Sequence, residues 1–214
     1  MIKDTSFDIG ALKSKRRYEI NKGNKNFEVK IINPEDFVDD IYRVTVAAYS
    51  GWPEKYRPSV TKEQIEEQIK LWSKYLVFGA YSRNDNILQG YAIVEDYGNY
   101  AAFSVLRTNP EAEKQGINAA VVDRILAKFD DRFHDGFYIC DGARSIRHET
   151  AFQDYLEKYF AFRKAYCKLN IRYKPGFGLA VKVLYPFRKM INGNSGIGSK
   201  ISGILKMEEI YRNN

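Results

Sequence analysis

A largely apolar run, Ala101 to Leu106, stops at Thr108-Asn109-Pro110, and beyond Gly116 a helical stripe begins. No other feature constrains the fold of this chain as tightly. Proline cannot donate to a sheet ladder, so the run reads as a strand that must end there. The stripe, Ile117, Val121, Val122, Ile125, Leu126 and Phe129, has the three-and-four spacing of an amphipathic helix. Strand, glycine loop and helix in that order aim unpaired backbone N–H groups at an anion. Gly116 would let the backbone approach that anion closely, because no Cβ intervenes. The turn is neither a G-x-x-x-x-G-K-[ST] phosphate loop nor a G-x-G-x-x-G dinucleotide turn.

The elements around this turn define the fold class. Phe27 to Ile31 alternates apolar with charged residues and reads as a half-buried strand. Asn33-Pro34-Glu35-Asp36 reads as the start of a helix that carries Phe37, Ile41, Val44 and Ala48 on one face. Thr61-Lys62-Glu63-Gln64 has the capping-box pattern of a second helix, whose buried side is Ile65, Ile69 and Trp72. Tyr75 to Ala80 and Ile87 to Glu95 form a hairpin across Arg83-Asn84-Asp85-Asn86. Tyr100 to Leu106 is a third strand, Gly136 to Asp141 a short buried one, and Thr150 to Tyr159 a helix. Cys167 to Tyr173 and Leu179 to Leu184 read as a closing hairpin across Lys174-Pro175-Gly176-Phe177-Gly178. Antiparallel hairpins at both ends and one parallel crossover in the centre predict a single α/β domain. Its central twisted sheet is mixed, mostly antiparallel, and flanked by helices. The domain is expected over 27–185. A polar, Lys-rich arm over 1–26, in which Tyr18 to Ile20 could form a short strand, precedes it, and a basic extension over 186–214 comes after it.

The 214 residues contain no 18-residue apolar run, and the first ten lack the apolar core of a secretory signal. Cys140 and Cys167 are too few for a disulfide framework, which fits a reducing cytoplasm. With His134 and His148 the only histidines, no metal site is expected. The net charge of +7 is uneven: residues 31–162 hold 15 Lys or Arg against 21 acids, and residues 163–214 hold 11 against two. The basic quarter could face an anionic partner or simply be a solvated surface.

The element order, with a glycine loop opening the helix after the third hairpin-type strand, resembles the GNAT N-acetyltransferase superfamily over about Phe27 to Leu184. In that family a Q/R-x-x-G-x-G/A turn holds the pyrophosphate of acetyl-CoA on backbone amides. The aligned run here is Glu113-Lys114-Gln115-Gly116-Ile117-Asn118-Ala119, with Glu113 where Gln or Arg is usual and Asn118 in place of the second small residue. The resemblance implies acetyl-CoA or another acyl-CoA as co-substrate, bound at Gln115, Gly116, Ile117, Asn118 and Ala119. It also implies that the main chain at Leu106, Arg107 and Thr108 polarises the thioester. A second family signature, L-Y-x-x-x-G-F, resembles Leu156 to Phe162, but Glu157 stands at the place of the tyrosine that often protonates the departing thiolate. Tyr155 and Tyr159 are the nearest substitutes, each rotated by about 200° from Glu157 on a helix.

Acyl transfer to an amine also needs a base. Asp141 ends a buried strand, His148 is the only histidine near that end, and Glu95 ends the second hairpin strand, so these three are the catalytic candidates. Trp52 and Tyr56, in an aromatic loop between the first two helices, could stack on the acceptor, or Trp52 could plug the edge of the core. The activity the resemblance implies is direct N-acetyl transfer to a small-molecule amine or amino sugar. Two other readings stay open: a GNAT-like binding module without catalysis, favoured by Glu113, Asn118 and Glu157, and an aminoacyl-tRNA-dependent transferase, favoured by the basic C-terminal quarter. No DNA partner is expected. Ser199 to Arg212 reads as a helix with Ile201, Ile204, Leu205 and Tyr211 on one face. It is expected to pack on the domain or on a second subunit of a homodimer, in preference to lying on an anionic membrane.

Overall fold

The computed structural model describes residues 1–54, 57–142, 151–166, 168–191 and 196–213. The chain divides into two compact units, Met1–Ala143 with Thr150–Lys164, and Arg144–Glu149 with Ala165–Asn214.

The first unit is built on a six-stranded sheet of order β1-β6-β5-β4-β3-β2. Its strands are β1 (Ile2–Lys3), β2 (Phe27–Ile32), β3 (Leu76–Ser82), β4 (Leu88–Asp96), β5 (Tyr100–Thr108) and β6 (Tyr138–Cys140). Only β5 and β6 run parallel, joined by the short helix α4 (Pro110–Glu113) and by α5 (Ile117–Lys128). Side chains alternate across the strands. Phe78, Ala80, Ala92 and Val94 face one core with α5, and with Ile20 of α1 (Ser14–Asn26) and Leu156 and Phe160 of α6 (Ala151–Phe160). Val77, Tyr81, Tyr91 and Ile93 face the other core, under α2 (Val38–Ser50) and α3 (Lys62–Leu71). The predicted capping box at Thr61 and Gln64 is formed in full.

Residues 1–26 are not a free arm. Ile2 and Lys3 pair with β6, and Ile2 exchanges two 2.8 Å backbone hydrogen bonds with Arg163. Tyr18 to Ile20, expected as a strand, lies inside α1. Ile20 and Gly23 are the only buried residues of that helix, so it has no apolar stripe for a sequence reading to find. It docks instead by close approach. A Cβ on Gly23 would stand 2.3 Å from the Gly116 carbonyl oxygen and 3.0 Å from the Ala120 nitrogen.

The second unit contains α7 (Phe177–Leu184), the 3-10 turn Tyr185–Phe187 and α8 (Gly196–Arg212). The closing hairpin is not formed among the described residues. A strand would set Leu179, Val181 and Val183 on one face, whereas α7 buries Val181 and exposes the other two. Gly176, at φ +81°, turns the chain into this helix. Tyr173 Oη donates to Glu208 Oε2 at 2.6 Å and Arg212 Nε to Glu208 Oε1 at 2.8 Å. These two donors hold the Glu208 carboxyl below the usual range. Arg188 and Arg212 lie 4.3 and 4.1 Å from the centre of the Tyr185 ring, and Arg188 pairs with Glu209. Among the described residues no helix is long and apolar enough to cross a membrane.

Candidate active site

The centre of the first unit is a strand edge left open. β5 pairs with β6 only through Tyr100, Ala101 and Ala102, so from Phe103 onward its outer edge has no strand partner among the described residues. Gly142, at φ +85°, brings the chain after β6 against the Phe103 carbonyl, where a Cβ would stand 2.1 Å from the oxygen. On the inner side β4 pairs with β5 from Ala101 to Thr108, with a bulge that leaves Ser104 opposite no residue, between Phe103↔Val94 and Val105↔Ile93. Asn109 donates its N–H to Gln89 at 2.8 Å, which fixes the alternation. Arg107 therefore bonds towards β4, and the N–H and C=O groups of Leu106 and Thr108 face the open side.

The glycine turn lies at the same end. Asn109 caps α4, accepting the Glu111 N–H, and Gly116 takes the left-handed conformation (φ 89°) that starts α5. The Gly116 carbonyl accepts from Ala119 and Ala120 at 3.0 and 3.2 Å. The N–H groups of Ile117 and Asn118 have no acceptor among the described residues, which is the ordinary state of a helix start. Thr108 Oγ1 lies 3.0 Å from Glu113 Oε1 and 3.1 Å from the side-chain oxygen of Asn118. One hydroxyl hydrogen serves one of these, so Thr108 donates to the carboxylate and Asn118 turns its amide to donate to Thr108. Glu113 thus points at the helix start. It is an exposed anion held by a single hydrogen bond.

On the opposite face of β5, Arg107 Nη1 donates to Tyr91 Oη at 2.9 Å, and its guanidinium lies 4.8 Å from the centre of the Tyr49 ring. Tyr91 Oη also meets Thr45 Oγ1 at 2.8 Å, and burial pushes the Tyr91 hydroxyl up. Arg107 has no carboxylate partner among the described residues. Trp52, 46% exposed, meets Tyr49 edge-on at 5.2 Å. Arg57 ties this loop down through the carbonyls of Ser50 and Trp52.

No family model matches the sequence, and no curated protein does. Solved structures share the fold. A possible acetyltransferase of Clostridium difficile 630 aligns over 70% of this chain and 99% of its own, at 11% identity and a TM-score of 0.50. Ribosomal-protein-alanine N-acetyltransferase from Brucella melitensis biovar Abortus 2308 aligns over 69% and 99%, at 14% identity and a TM-score of 0.50. The chain has the GNAT fold.

Within this GNAT fold the expected site residues separate. The main chain of Leu106 and Thr108 faces the open side of β5, and Thr108 reaches Asn118 at the helix start, beside the N–H of Ile117. Arg107, expected to polarise the thioester through its main chain, bonds towards β4 instead. At Gly116, expected to let an anion approach, a Cβ would stand 3.0 Å from the Gly23 nitrogen, so the missing Cβ makes room for α1. Ala119 belongs to the buried face of α5. Gln115 lines a polar cleft of about 290 Å³ with Ser82, Asp85, Gln89 and Glu111. Asp141, expected as a base, has both oxygens engaged: Oδ1 accepts from the Met1 ammonium at 2.9 Å and Oδ2 from Gln153. The ion pair ties the start of β1 to the end of β6. Glu95 pairs with Ala102, six residues along β5 from Thr108, hence roughly 20 Å away along the strand. It accepts from Tyr97 Oη, whose pKa it pushes up to about 12. His148 and Tyr56 lie outside the described residues. Glu157 is exposed and faces Lys164 at 3.9 Å. Burial pushes the Tyr155 hydroxyl up, and its ring packs 5.0 Å from that of Tyr159. Sequence reasoning missed Tyr91 and Tyr49, which read as ordinary core and loop aromatics. Their one signal is that they share the neighbourhood of an arginine on a strand that is otherwise apolar.

Proposed function

We propose that this chain is an acyl-CoA-dependent acyltransferase that moves an acetyl or other short acyl group onto the amino group of a small molecule. The observation that carries the reading is the open edge of β5. Beyond the bulge at Ser104, the main-chain groups of Leu106 and Thr108 face a side with no strand among the described residues, next to a helix start where the N–H groups of Ile117 and Asn118 have no acceptor among them. A thioester laid along that edge would find N–H donors for the oxyanion that forms as the amine attacks the carbonyl carbon. The C–N bond forms, the C–S bond breaks, the sulfur leaves as thiolate, and the proton the amine gives up is carried by solvent to that thiolate, so the products are the amide and free thiol. Ile117 and Asn118 would hold the pyrophosphate of the co-substrate, with Glu113 swung aside.

Arg107 supports an acceptor that also carries an anionic group. Its guanidinium has one N–H on Tyr91 and lies against Tyr49, leaving an edge for a carboxylate. The second reading, a binding module without turnover, rests on one observation: Glu113 supplies its own anion at the helix start.

The test pairs binding with turnover. Acetyl-CoA should raise the melting temperature, as any ligand of the native state alone must. It should also release free thiol in the presence of amines that bear a carboxylate. Binding with no thiol release across the amine panel would favour the module. Absence of any shift with acetyl-CoA or longer acyl-CoAs would overturn the acyltransferase reading.

A further inference from the structure

We propose that the outward face of α7 and the turn after it form a docking surface for an anionic lipid bilayer. Leu179, Val183, Phe187 and Met190 recur at spacings of four, four and three residues, and they are 69%, 59%, 54% and 81% exposed. Val181, on the inner side of the same helix, is 3% exposed, so the helix has its own buried anchor and a separate apolar stripe turned to solvent. Scattered exposed apolar residues need no explanation, whereas two on the outward side of α7 followed by two more in the 3-10 turn and the turn after it mark a surface that is meant to be covered.

Charge identifies the cover. No acid occurs between Lys158 and Met207. The two acids beyond Met207 are already engaged: Glu208 by Arg212 and Tyr173, and Glu209 by Arg188. Lys174, Lys182, Lys189, Lys200 and Lys206 therefore have no ion-pair partner among the described residues. Lys182 and Lys189 flank the stripe itself. An apolar stripe set among unneutralised lysines is what an interfacial helix presents to a membrane: the side chains enter the acyl boundary and the ammonium groups meet lipid phosphates. A second copy meeting it through the same face would bring like charges against like charges, which disfavours that symmetric self-association. The inference does not depend on the acyltransferase reading.

Vesicle flotation of the full chain tests it, using neutral phosphatidylcholine vesicles and vesicles with about 30% phosphatidylglycerol. The protein should float with the anionic vesicles and remain behind with the neutral ones, and about 0.5 M NaCl should release much of it. Val183→Glu with Phe187→Glu, and separately Lys182→Glu with Lys189→Glu, should each lower the bound fraction about tenfold. Val183 and Phe187 are exposed and Lys182 lies within electrostatic reach of Glu208, so the melting temperature of the Val183, Phe187 variant should match that of the parent. Failure to float with anionic vesicles would overturn the proposal, as would equal flotation with both kinds. A dimer in sedimentation velocity that Val183→Glu dissolves would assign the face to a second copy instead. A clear loss of melting temperature in the Val183, Phe187 variant would assign it to the chain's own packing. Either result would overturn the lipid proposal.

Discussion

Replacing Glu113 by Gln should tighten acyl-CoA binding. Thr108 donates to Glu113 Oε1 at 3.0 Å, and Asn118, whose free N–H is one of the two at the start of α5, lies 3.1 Å from the same hydroxyl. A phosphate bonded to the N–H groups of Ile117 and Asn118 would therefore sit roughly 5 Å from the carboxylate. Two unit charges at that distance repel by about 3 kcal/mol at an effective dielectric of about 20, and by about 0.8 kcal/mol in water. Glu113 is exposed, so solvent screening places the effect near the lower figure, about 1 kcal/mol. Swinging the carboxylate aside would lose its bond to Thr108, which is also about 1 kcal/mol. Either route predicts a fall in Kd of about fivefold for Glu113→Gln. The Gln oxygen still accepts from Thr108, so the unliganded protein should melt where the parent does. Isothermal titration of acetyl-CoA against both proteins measures the difference, and high salt should shrink it. Equal or weaker binding by the Gln variant would refute the assignment of Ile117 and Asn118 to the anion.

Three other perturbations probe separate parts of the account. Gly23→Ala would place a Cβ 2.3 Å from the Gly116 oxygen, so α1 must move off α5; a loss of about 1–3 kcal/mol in thermal or denaturant unfolding is expected, and an unchanged midpoint would show that the contact is soft. Arg107→Gln should raise KM for amines that bear a carboxylate by about tenfold while leaving neutral amines unaffected, and equal effects on both would remove Arg107 from acceptor recognition. Hydrogen bonds from Arg132 hold the Asp96 carboxyl below its ordinary range. A group depressed in the folded state stabilises above its unfolded pKa, and that contribution disappears as pH falls through the folded value. Stability should therefore drop on acidification below about pH 4, with a shallower acid limb in Asp96→Asn; superimposable limbs would contradict this.

Periodicity revealed those elements whose burial has a simple repeat. β3 and β4 are buried on both faces and read as apolar runs, α5 carries an unbroken stripe, and Thr61 with Gln64 announces a helix start whatever surrounds it. Elements held by other means were hidden. α1 docks through a glycine, and a glycine in a Lys-rich segment reads as a breaker. β1 is two residues long, and Asp141 meets a partner 140 residues away, beyond any local pattern. In α7, Leu179, Val181 and Val183 alternate as a strand would, and only the exposure of two of them shows that the period is helical. At the site the strand end and the glycine turn were visible. The direction of Glu113 was not, because sequence does not say which way a side chain at a helix start turns.

The open edge of β5 is the central claim, and backbone amide shifts of the isotope-labelled full chain during an acetyl-CoA titration test it most directly. The predicted result is saturable movement of the Leu106, Thr108, Ile117 and Asn118 amides together, with Glu95 and Ala102 at the other end of the sheet unmoved. Movement centred elsewhere, or none at acyl-CoA concentrations well above those that shift the melting temperature, would contradict it.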